Sequence, residues 1–114
     1  MSLDYISEKL TNAVLVLATS TESLQKRLEF AALCAHTISG PPHSEEGFPT
    51  DELKRRFIEW WRALTAKQAH GDEGTLAATA RSLTDDEARR FAEELFNIYT
   101  EVEVHYVRLR RLHD

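Results

Sequence analysis

"FAEELFNIYTEVEVHYVRLRRL", residues 91–112, admits two incompatible readings. The run "VEVHYV" at 102–107 alternates β-branched and polar residues as a half-buried strand does. Over the longer window, Ala88, Phe91, Leu95, Ile98, Val102, His105, Leu109 and Leu112 recur three and four apart, the spacing of one helical face. A single strand would have no partner to pair with elsewhere in this chain, so the helix is the consistent reading. "TDDE" at 84–87 supplies its start, because Thr84 and Glu87 have the capping-box spacing that satisfies free amides reciprocally. The spacing predicts one helix from about Thr84 to Leu112, roughly 43 Å long at about 1.5 Å per residue.

The same periodicity runs through the rest of the chain. Leu3, Ile6, Leu10, Val14 and Leu17 form a first apolar face. "TSTE" sets Glu22 three residues after Thr19 and predicts a capping box opening a second helix, whose face is Leu24, Leu28, Ala31, Ala35 and Ile38. That helix should stop by about Ser39, since Gly40, Pro41 and Pro42 remove the donors and torsions needed to continue. Residues 40–50, "GPPHSEEGFPT", read as a flexible surface loop. Thr50 is placed to cap the next helix, Asp51 to Lys67, with Leu53, Phe57, Trp60 and Leu64 as its seam. Asp51 with Arg55, and Glu52 with Arg56, are expected i,i+4 pairs on a solvated face. Leu76, Ala80 and Leu83 give one further short helix. The expected fold is all-α: an antiparallel bundle of four main helices plus one short helix in a single domain spanning 1–114.

Composition narrows the function classes. A chain of 114 residues, 42% hydrophobic and 29% charged, suits one soluble globular domain. Its formal net charge of −5 offers no reason to expect nucleic acid or anionic membrane as a partner. No apolar run approaches the ~18 residues of a membrane span, and the opening "MSLDYISEKL" lacks signal-peptide character, so a cytoplasmic location is expected. The lone Cys34 cannot form an internal disulfide. Cys34 and His36 point about 200° apart on a helix, which argues against a nucleophile and base pair. The stretches "DYISEKL", "LAT", "LQKRL", "FP" and "GDEGTLAAT" together resemble small bacterial helical proteins of uncharacterised function, a resemblance that implies no activity.

The residues most open to a chemical reading are His70, Asp72 and Glu73, set between Gly71 and Gly74. They offer nitrogen and oxygen donors to Mg²⁺, Mn²⁺ or Zn²⁺, and with carboxylates from another helix would suit a small metal-dependent hydrolase. Turn chemistry accounts for the same residues without a ligand: Gly71 ends one helix, and Asp72 and Glu73 complement the positive end of the next. We favour the bend, and expect no metal, no cofactor and no catalytic residues. Glu93-Glu94 and Glu101 with Glu103 lack the paired Glu-x-x-Glu motif of helical nucleotide hydrolases and read as a solvated face. Arg108, Arg110 and Arg111 oppose the dipole at a helix C-terminus.

The preferred class is a non-enzymatic helical interaction or regulatory protein. The long helix outruns the Trp-bearing helix, at about 25 Å, so its last three turns should leave an apolar stripe of Val102, Tyr106, Val107, Leu109 and Leu112 for a twofold partner. Trp61, at the border of its seam, and His105 complete the expected homodimer interface. Burial of His105 between subunits would disfavour its charged form, so acidification should weaken the pair.

Overall fold

The computed structural model describes residues 2–39, 47–67 and 74–113. Among these there are six helices and no strand: α1 Leu3–Thr19, α2 Leu24–Cys34, α3 His36–Ser39, α4 Asp51–Leu64, α5 Thr75–Ser82 and α6 Asp85–His113. "VEVHYV" lies inside α6. Hydroxyl caps start the main helices: Ser2 accepts from the Tyr5 amide, Ser23 from Lys26 and Thr50 from Leu53. At α6 the capping box is complete, the Glu87 amide donating to Thr84 at 3.1 Å and the Thr84 amide to the Glu87 carboxylate at 2.9 Å.

Three boundaries differ from expectation for local reasons. The Trp-bearing helix, expected to reach Lys67, ends at Leu64, where the Thr65 hydroxyl donates to the Trp61 carbonyl at 2.8 Å. The box proposed at Thr19 and Glu22 does not form, because α1 runs on through Thr19, whose hydroxyl bonds back to the Leu15 carbonyl at 2.7 Å. Ser23 caps α2 instead, leaving residues 20–23 to reverse the chain. The second helix also breaks at Ala35, where φ −95° and ψ 1° leave the helical region and the Ile38 amide reaches only to the Ala35 carbonyl. This bend keeps both Ala35 and Ile38 buried while the single turn α3 packs on α4. Of the expected loop at 40–50, residues 40–46 lie outside the described residues. Gly47, at φ 118°, adopts a backbone conformation that glycine alone takes without strain.

Cross-helix contacts fix the arrangement. Ser7 donates to Glu103, and the Asp4 carboxylate lies near enough to Tyr106 to raise its pKa, so α1 runs antiparallel along the C-terminal half of α6. On the other flank Trp60 Nε1 donates to the Phe91 carbonyl at 2.9 Å, and Arg56 reaches Glu94 and Glu101, which sets α4 antiparallel to α6 as well. Gln25 ties the start of α2 to the α5–α6 corner through the Leu83 carbonyl and Asp85. Glu29 of α2 pairs with Arg81 of α5 at 3.1 Å. The core between these helices holds Ile6, Leu10, Leu28, Phe57, Leu64, Leu95, Ile98 and Val102, all fully buried. Trp60 stacks on Phe57 with ring centroids 5.8 Å apart, and Phe48 closes over Phe57 at 5.6 Å.

Candidate interaction surfaces

His70, Asp72 and Glu73 lie outside the described residues. Beside them, α5 begins at Thr75 with Gly74 as a cap that contributes no side-chain hydrogen bond. Among the described residues no three His, Cys, Asp or Glu side chains are grouped so as to hold a metal ion.

Glu94, Glu101 and Glu103 of α6 have structural partners. Arg56 was expected to pair with Glu52 on a solvated face, but it borders the buried seam of Leu53, Phe57 and Trp60, and its long side chain crosses to α6. There it meets Glu94 at 2.9 Å and also Glu101, and the nearby carboxylates, Glu101 foremost, hold the guanidinium even more firmly protonated than usual. Arg55 pairs with Glu59 at 3.2 Å rather than with Asp51. Glu103 accepts from Ser7. A cleft of about 420 Å³ opens beside this network between Trp60, Arg90 and Phe91.

The expected dimer surface divides. Val102 is fully buried within the chain, so it belongs to the core and offers nothing to a partner. The comparison of α6 with the Trp-bearing helix alone misses α1, which lies offset along α6 and covers it as far as Tyr106. The nearby Asp4 carboxylate raises the Tyr106 pKa above the ordinary phenol value, and the Arg110 guanidinium lies 5.7 Å from its ring. Beyond that point the seam emerges: Leu109 is 42% and Leu112 78% exposed. At about 100° per residue, Leu109 and the half-buried His105 lie within roughly 60° of Val102, whereas Val107 is about 140° away. Val107 joins Val104, also exposed, on the outer side of α6. The single stripe expected from the sequence is therefore two. Trp61 is half-buried, with its ring set edge-on to His36 at 5.7 Å.

A further concavity of about 620 Å³ lies where the end of α1 and the start of α2 meet α6. Val14, Leu17, Ala18, Leu24, Ala92 and Phe96 line it, with Arg27 and Arg89 at its edges. Arg27 donates from Nη1 to the Leu17 carbonyl at 2.9 Å, closing the end of α1, while its Nε is shielded from solvent without an acceptor among the described residues. An unpaired buried donor costs about 1–3 kcal/mol. Neither Arg27 nor this groove stands out in the sequence, because the walls come from three helices and Arg27 looks like any exposed cation. Among the described residues no helix is long and apolar enough to cross a membrane. No protein-family model, characterised protein or solved structure matches this chain.

Proposed function

We propose that this chain is a non-enzymatic helical interaction protein of the cytoplasm that self-associates through the last turns of α6. The observation that carries the reading is the change along one face: the seam fully buried at Leu95, Ile98 and Val102 continues into solvent as Leu109 and Leu112. Exposed apolar side chains in register with a core seam are what a second helix covers in a bundle, and a twofold copy is the commonest such cover. Stable interfaces bury about 1,200–2,000 Å² in total, more than these two leucines supply, so Trp61, His105 and neighbouring polar residues would have to contribute and the association is weak. Arg108, Arg110 and Arg111 surround the stripe and favour an antiparallel crossing that keeps like charges apart.

Light scattering coupled to gel filtration tests this. A concentration-dependent dimer that becomes monomeric in Leu109→Glu with Leu112→Glu, at unchanged helicity, is expected. A monomer throughout the micromolar range, or a dimer indifferent to both changes, defeats it.

A further inference from the structure

The geometry points to the groove between α1, α2 and α6 as a binding site for a small amphipathic carboxylate, of the medium-chain fatty-acid class. Three observations converge on that chemistry. The groove, at about 620 Å³, falls within the range of small-molecule sites, and six of its ten lining residues are apolar. Along α6 it extends from Arg89 to Asn97, about 12 Å at the helical rise, a length that suits an extended acyl chain better than a compact polar metabolite. Its charge is opposite to that of the molecule: two arginines and one glutamate line it in a chain of net charge −5.

Arg27 supplies the specific contact. Its guanidinium is anchored at one nitrogen by the Leu17 carbonyl and has an unsatisfied Nε. A carboxylate over Leu24 pairs with the guanidinium charge from the groove side while Nη1 stays on the Leu17 carbonyl, a charge-assisted contact. Arg89, 63% exposed and among the described residues paired only with Asp86 at 3.5 Å, adds a second positive charge to the lining of the groove. The acyl chain then lies on Val14, Ala18, Ala92 and Phe96, covering a phenylalanine that is otherwise 50% exposed. A second copy of the C-terminal stripe is a poor occupant by charge, since its leucines are set among Arg108, Arg110 and Arg111.

The test is a titration of the ¹⁵N-labelled full chain with sodium decanoate below its micelle concentration, with decanol in parallel. We expect saturable amide shifts at Val14, Ala18, Leu24, Ala92 and Phe96, and about tenfold weaker binding of decanol and of decanoate to Arg89→Gln, as loss of one charged contact implies. Ala18→Trp, a change at an exposed helix position, fills the groove from its rim and should abolish the shifts while leaving the melting transition in place. Equal binding of decanol and decanoate removes the carboxylate assignment. Shifts that never saturate, or that grow equally at Leu109 and Leu112, show decanoate coating apolar surface and overturn the site. Saturation by an acidic amphipathic peptide but not by decanoate makes the groove a protein-docking surface and overturns it too.

Discussion

Replacing Phe57 by alanine should measure how far this small bundle depends on one ring. Phe57 is fully buried, stacked on Trp60 at 5.8 Å and tilted against Phe48 at 5.6 Å. Truncating a buried phenylalanine costs about 3–5 kcal/mol, the lost transfer free energy plus that of the remaining cavity. Phe48 sits only half-buried in the irregular segment before α4 and is able to settle into the space, so the lower end, about 3 kcal/mol, is expected. Against a total stability of about 5–15 kcal/mol that is a large fraction. Urea unfolding followed by circular dichroism should show a midpoint lowered by about 1–3 M with an unchanged slope, given slopes of about 1–3 kcal/mol/M. The double variant with Phe48→Ala separates the ring pair: a coupling of about 0.5–1.5 kcal/mol is expected if the two rings interact as placed. Leu112→Ala, at a residue 78% exposed, is the internal control and should change monomer stability by less than about 0.5 kcal/mol. A Phe57→Ala loss below about 1 kcal/mol, or one no larger than that of Leu112→Ala, would refute the core described above.

Four further outcomes follow from the contacts across and along the helices. Arg56→Met should lower stability by only about 1 kcal/mol, since Glu94 and Glu101 are 41% and 53% exposed and water screens the pair; thermal melts should show the difference narrowing in high salt. Thr84→Ala should cost about 0.5–2 kcal/mol by removing the cap of α6. The Thr84 amide holds the Glu87 carboxyl below its ordinary pKa, so the contribution of Glu87 is present above the unfolded value of 4.5 and is lost as pH falls through the lower folded value; Glu87→Gln should abolish that part of the acid dependence in melts across pH. For Tyr106 the sign reverses: the nearby Asp4 carboxylate raises its pKa, so the contribution is full below the ordinary phenol value and is lost as pH climbs through the folded one. Asp4→Asn should lower the phenol titration read by ultraviolet absorbance, and an unmoved titration would show that the Asp4 contact is not formed in solution.

Much of this architecture was legible from residues that act locally. A hydroxyl at the first non-helical residue can accept from the amide three residues on, which is why Thr50 and Thr84 mark the starts of α4 and α6, whereas Thr19, still inside α1, marks no start. Three-four spacing selects the face to be buried, and Leu53, Phe57, Trp60 and Leu64 are all in the core. A strand at 102–107 was excluded by its lack of a partner, a count any reader of the chain can make. Tertiary structure decided the rest, because periodicity states which side of a helix is covered and not how far along. The offset of α1, marked by Ser7 on Glu103, buries Val102 and releases Leu109. The choice of partner for Arg56 belongs to the same level, since a side chain beside a buried seam reaches whichever helix packs there, and no i,i+4 rule contains that helix. The groove at Arg27 exists only where the end of α1 and the start of α2 meet the side of α6, and that meeting is set by the packing of the whole bundle.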